Sequence, residues 1–512
     1  MSDLKSHCQI THSPTHSFHY SLIQYNKMKK IKLFASTLLS LFFVASCTSD
    51  FEEMNTSPNQ ATEVSVTPDL LLPFVIEKPV DLTRGSNIRN ERLNLDGGML
   101  WIQHFARRVY TYEGDTYSPS GDLAQNTWEK LYTEALLNAE RIRLLATSEA
   151  QKNAHYEGVA LVMRSWVFSL LTDIFGPVPY TQALQIKGEE EILKPTYDPM
   201  PVVYEGVIND LDQAVALLEQ DARAIQGDIL FDGDISRWIK FANSLQLKLL
   251  NRASSAPSFP IDIAAKMTEV AGRPIFTSNE DYAFLAHSAT RPSNNEWNEV
   301  IVNGGRDDWR ASATLVDALN ELGDPRVTVF FNPNAAGEYA GMPNGLPDAL
   351  ALEFTAQASF IGNAMWEPTT PSVIMSYAEL QFVLAEAALR GDIAGDPKAY
   401  LDEAIDASFG QFGLETPDGY LDGQAATLEN IMFQKWIALY GQGIEAWTEY
   451  RRTGLPAIMR QDPNAAFLND GVLPTRLTYP QTEYSLNGAK IQEALGLLGG
   501  DDNMRTKLWW AQ

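Results

Sequence analysis

The chain has 512 residues, 45% hydrophobic and 20% charged, a globular composition able to bury a sizeable core. Its formal net charge of −26 argues against nucleic acid, because binding phosphates needs clustered Lys and Arg, and against a peripheral helix on anionic lipid. Both cysteines, Cys8 and Cys47, lie near the N-terminus, and only His104, His155 and His287 follow them, widely spaced, so no disulfide, histidine-cluster metal site or cofactor is expected.

The N-terminal segment reads as an address. Met28-Lys29-Lys30-Ile31-Lys32 is followed by an apolar stretch from Leu33 to Ala45. That stretch is shorter than the roughly 20 residues a spanning helix needs. It ends in Val44-Ala45-Ser46-Cys47, which resembles a lipobox, with small residues before the cysteine that receives lipid. Residues 1–46 are therefore expected to be a signal peptide whose first 27 residues are an over-extended start. Cys47 is the expected lipid (palmitate) attachment site, residues 47–65 a flexible acidic tether, and 66–512 a single domain. Three acyl chains would anchor the protein permanently, since each buried CH₂ contributes about 0.8 kcal/mol.

Helical periodicity dominates the rest. Val159, Met163, Trp166, Leu170 and Ile174 recur at spacings of three and four, and Gly176-Pro177 stops the run. Further helices are predicted over Asn126–Leu145, Pro201–Leu218, Ile235–Arg252, Ser312–Leu322, Ser372–Leu389, Pro397–Phe409 and Leu428–Arg451. Asp234 and Ser312 are the expected N-caps of two of them. Few stretches alternate with period two, so the fold class is mainly α with few short strands. The small residues Ala378, Ala385, Ala387 and Ala388 let a neighbouring helix approach, which suggests tetratricopeptide-like hairpins.

Asp228, Asp232 and Asp234 invite a calcium reading, but their spacing does not match an EF-hand loop, and a capped turn is the better expectation. No serine-hydrolase elbow, zinc-protease motif, P-loop or dinucleotide fingerprint is present, and acidic pairs such as Asp307-Asp308 arise by chance in so acidic a chain. An enzyme is not expected.

Six stretches in chain order carry a resemblance. They are Phe51-x-x-x-Asn55-x-x-Pro58-Asn59, Asp173-Ile174-Phe175-Gly176-Pro177-Val178-Pro179-Tyr180, and Gly233-Asp234 with Trp238 to Leu245. Leu322-Gly323-Asp324-Pro325-Arg326 follows, then Gln434 to Tyr440 with Glu445-Ala446-Trp447-x-x-Tyr450-Arg451-Arg452-Thr453-Gly454. The sixth is Pro474-x-Arg476-x-x-Tyr479-Pro480-x-x-Glu483, with Asn487 beyond. Together, behind a lipobox, they resemble the second, SusD-like branch of the SusD/RagB family of starch-binding-type outer-membrane lipoproteins. The resemblance implies a superhelix of eight helices in four tetratricopeptide-like units, an irregular ligand-binding region, and no catalysis. It also implies an outer-membrane location facing the cell exterior, a glycan or peptide ligand, and a TonB-dependent transporter as partner.

Most of these motif residues have structural readings. Asn243 and Arg326 are expected to satisfy backbone groups at turns, and Glu445 and Arg452, seven apart on one helix face, to tie neighbouring elements. Ligand contacts are sought instead among aromatics outside the helical stripes, because sugars stack their C–H faces on aromatic rings. Trp297, Trp309, Tyr339 and Trp366, in the Gly-, Pro- and Asn-rich region from Arg291 to Pro368, are the candidates.

Overall fold

Capped helices build the framework of this computed structural model, which describes residues 66–84, 92–185 and 192–511. The signal, lipid-attachment (Cys47) and tether predictions lie outside the described residues. Within the unit Thr67–Gln512, α1 (Pro68–Arg84) leads to α2 (Gly121–Glu129) and α3 (Leu137–Thr147), with a π-helical turn at Lys130–Leu136 between the last two. The run begins before the predicted Asn126 because the Ser120 hydroxyl accepts from the Asp122 N–H.

Helix α4 (Ala154–Phe175) starts at an Asn153 cap and stops where Gly176 takes φ +92°. It is buried nearly all round, with Leu161, Val162, Val167 and Phe168 inside as well as Val159, Met163, Trp166 and Ile174 of the predicted stripe, whose Leu170 is half-buried. One stripe was too few because α4 is flanked by α3, α5 (Met200–Leu218) and α6 (Ile235–Ala253). Helix α7 (Ile263–Ala271) packs on α6.

The Asp228–Asp234 segment is a capped turn. Asp228 accepts from the N–H groups of Leu230, Phe231 and Gly233 and from the Trp238 indole, while Asp234 caps α6.

Later come α8 (Ala313–Leu322), capped by Ser312, and α9 (Asp348–Phe354). The hairpin of α10 (Tyr377–Arg390) and α11 (Pro397–Gln411) is followed by α12 (Leu428–Ala438), α13 (Gly443–Thr453) and α14 (Gln481–Leu497). Side-by-side pairs α4/α5 and α10/α11 are the hairpins of a mainly α fold.

Two predicted helices differ. Leu428–Arg451 is broken, since Gly441 adopts φ +86° and the chain turns between α12 and α13. Gly443, opening α13, lies so close to Gly98 and Met99 that an added Cβ would sit 2.4 Å from the Met99 nitrogen. Ser372–Leu389 begins as a strand, and the helix starts only after Ser376, whose hydroxyl accepts from Glu379 N–H.

The strands are short and antiparallel. β1 (Phe105–Arg107) pairs β3 (Trp309–Ala311), β2 (Ala283–Leu285) pairs β6 (Ser372–Met375), and β4 (Phe331–Asn332) pairs β5 (Phe360–Ile361).

A buried ionic network joins the helical hairpins. Arg252 on α6 meets Asp173 on α4 and Glu445 and Glu449 on α13; Arg452 on α13 meets Glu386 on α10 and Glu449. Glu445 and Arg452 therefore tie elements as expected. Asn243 donates to the Pro274 carbonyl, a backbone role. Arg326 is a correction. Its guanidinium donates to side chains, namely Asp324, Ser408, Tyr420 and Gln434, because it is fully buried among polar groups of α11 and α12.

Candidate functional site: an aromatic cavity and an exposed tyrosine pair

The β1–β3 ladder places two loops side by side. Arg107, fully buried at the end of β1, pairs with Asp96 at 2.9 Å and Glu113 at 3.1 Å, and Arg108 reaches Asp307 at 2.7 Å. These bonds fix residues 108–113 against residues 306–308. Thr111 donates from backbone and hydroxyl to Asp348 at 2.8 and 2.9 Å.

The loop so held exposes Tyr110 and Tyr112, at 38% and 57%, their rings 6.4 Å apart edge to face. The Arg306 guanidinium lies 5.3 Å over the Tyr110 ring. Tyr110 has φ +56°, a conformation that bulky residues adopt rarely and that the anchored loop must sustain. Sequence reasoning missed this pair. The signal was present in Tyr110-Thr111-Tyr112-Glu113-Gly114, two aromatics flanking a turn outside any helical stripe.

A cavity of about 350 Å³ lies beside β6. Its aromatic wall is Tyr282, Trp297, Phe412 and Tyr440, and Asn295, Thr370, Ser372, Gln411 and Gln442 line it with amides and hydroxyls. Asn295 caps the short helix carrying Trp297 and also donates to the Thr370 carbonyl at 2.8 Å. The Ser372 hydroxyl donates to Glu296 at 2.7 Å and contacts His287 Nε2 at 2.9 Å. Burial pushes the His287 pKa down, favouring a neutral ring. Oε1 of Gln411 is buried without a hydrogen-bond partner. Among the described residues Glu367 is the one carboxylate on the lining, and it is exposed.

The four aromatics expected from sequence are distributed unevenly. Trp297 lines the cavity, 4% exposed, its ring 5.6 Å from Phe105. Trp366 is half-buried, with its indole N–H bonded to the Ile361 carbonyl; its neighbours Met365 and Glu367 line the cavity, but it does not. Tyr339 is half-buried on another loop and off the cavity. Trp309 is a correction. It is fully buried in β3, donates to the Leu95 carbonyl, and sits beneath Arg92 and Arg107, so it offers no face to a ligand. Among the described residues no group of three or more His, Cys, Asp or Glu is placed to hold a metal ion.

A family model described as SusD-like, starch-binding associating with outer membrane, matches residues 59–480. The chain belongs to the SusD-like family. SusD-like proteins of known structure superpose on it. A chitin-binding protein is 27% identical, with a TM-score of 0.77, and the match covers 87% of this chain and 100% of that one. A SusD homologue from Bacteroides fragilis is 26% identical over 87% and 100% of the two chains, with a TM-score of 0.73. A chitin-binding SusD homologue from Flavobacterium johnsoniae, 22% identical over 87% and 97%, with a TM-score of 0.72, shares the fold. No curated protein sequence matches the chain. Membership in the SusD-like family supports a glycan-binding nutrient protein associated with the outer membrane.

Proposed function

We propose that this chain is a lipid-anchored, surface-exposed protein that captures a glycan and delivers it to a TonB-dependent transporter. The observation that carries this reading is the lining of the 350 Å³ cavity, with half-buried Tyr282 and Phe412 beside amides and hydroxyls. Such a lining suits a neutral ligand rich in hydroxyls and C–H faces. The unpartnered Gln411 Oε1 would accept a hydroxyl or acetamido N–H. Chitin oligosaccharides are the first ligands to test, because a relative of 27% identity is a chitin-binding protein. The Tyr110–Tyr112 pair adds a surface on which a longer polymer could rest.

The deciding experiment is calorimetry of the purified protein with chitin and starch oligosaccharides, on wild type and Tyr282→Ala. Binding weakened by the substitution supports the reading; no heat from any neutral glycan ends it. Anchoring is tested by Cys47→Ala, which should release folded protein from membranes, and delivery by co-purification of a β-barrel after gentle detergent extraction.

A further inference from the structure

A second cavity, of about 440 Å³, shares no lining residue with the first. It lies between the end of α2, the Gly176–Tyr180 motif segment and α14, and its chemistry is different. Leu184, Leu193 and Leu486 line it, and Leu193 and Leu486 are 76% and 68% exposed. Leaving two leucines in water at the mouth of a cavity costs apolar burial that a bound aliphatic group would recover. Its aromatic rings are already engaged by the protein: Trp128 is 5% exposed and packs against Tyr132 and Tyr197, and half-buried Tyr132 donates its hydroxyl to the Pro179 carbonyl at 2.7 Å.

One polar group on this lining is incompletely satisfied. Asn487 is 5% exposed, and its Nδ2 donates to the Pro195 carbonyl at 3.0 Å. That bond fixes which end of the amide is the acceptor. Oδ1 is then left buried with no hydrogen-bond partner. Asn487 also interrupts α14, with φ −130° inside the helix. A buried acceptor left unused on a cavity lining is one that a bound donor would satisfy. Among the described residues, the charged ones on the lining are Glu129 and Glu483.

We propose that this cavity binds a short peptide, taking an aliphatic side chain among Leu184, Leu193 and Leu486 and a backbone N–H on Asn487 Oδ1. A peptide carries a branched aliphatic group and an amide donor on the same carbon, whereas an acetamido sugar offers its N–H beside no more than a methyl group. The Glu129 and Glu483 carboxylates favour a free amino terminus and oppose a carboxylate. The site goes beyond the glycan reading and stands or falls separately from it.

The test is calorimetry of the full-length protein with the tripeptide amide Leu-Leu-Leu-NH₂, against chitotriose. The tripeptide amide should bind wild type. Asn487→Ala and Leu486→Glu should each weaken it at least tenfold, and Tyr282→Ala should leave it unchanged. Leu486 is exposed, so its substitution stays informative even if Asn487→Ala misfolds. No binding of the tripeptide amide, unchanged affinity in Leu486→Glu, or loss of chitotriose binding instead in that variant would overturn the proposal.

Discussion

Asp173 Oδ2 accepts from Arg252 Nη1 at 2.6 Å, both side chains 3% exposed, across 79 residues of sequence. The other carboxylate oxygen accepts from Tyr204 at 2.6 Å and from the Trp510 indole at 2.9 Å. A motif residue is thereby a junction of four parts of the chain. Replacing it leaves Arg252 buried with one partner fewer, and breaking a buried pair costs about 3–5 kcal/mol. Asp173→Ala is expected to fall in that range in urea unfolding, and Asp173→Asn to lose less.

The contact of Gly98 with Gly443 makes a second stability prediction. A Cβ on Gly443 would meet backbone at 2.4 Å, and backbone cannot rotate away as a side chain does. Gly443→Ala should lower stability by about 1–3 kcal/mol, the usual range for overpacking. Gly391→Ala is the informative contrast. Its Cβ meets nothing within 4 Å, so its cost should arise from the positive φ alone.

Stability should also respond to pH through Asp81. Burial, then the nearby Glu296 carboxylate, pushes its pKa from near 3.8 up to about 7, although Lys78 opposes the shift at 3.3 Å. A raised carboxyl holds its proton in the folded state after the unfolded chain has lost it. Its stabilisation is complete below about pH 4 and is lost as pH rises through about 7. Asp81→Asn cannot ionise, so its stability relative to wild type should rise between pH 5 and pH 8, by on the order of 2 kcal/mol. Parallel unfolding curves at the two pH values would show no such rise and would refute this assignment.

At the glycan cavity, Tyr282→Ala and Gln411→Ala are expected to weaken oligosaccharide binding by about 1–2 kcal/mol each, roughly five- to thirtyfold. Trp309→Phe should leave affinity unchanged and reduce thermal stability, because it removes the hydrogen bond to Leu95. Replacing Tyr110 and Tyr112 together by Ala should reduce retention on an insoluble polysaccharide while sparing the affinity for short oligosaccharides.

Helix identity was readable where local signals agreed. Asn153, Asp234 and Ser312 cap the helices that follow them, and Gly176 stops α4. Sequence reading failed where a distant partner decided the outcome. Ser372–Met375 became a strand because Ala283–Leu285, some 90 residues earlier, pairs with it. Trp309 lies in surroundings rich in Gly and Asp that read as a surface loop, yet pairing with β1 carries it inside. Of the cavity, sequence reading reached Trp297 and missed the other walls for a related reason. Its walls come from Tyr282, Asn295, Trp297, Val329, several residues between Ala364 and Val373, Gln411, Phe412 and residues 440–442, and only tertiary packing brings them together.

The bond from Trp510 to Asp173 spans 337 residues. An ordering in time follows from it. As the polypeptide is made or threaded across a membrane, Asp173, Tyr204 and Arg252 can assemble early, but the carboxylate's last donor arrives only with residue 510. A chain clipped before that point would keep its helices and lack the final clasp, leaving a nicked product that proteases recognise sooner than the intact one.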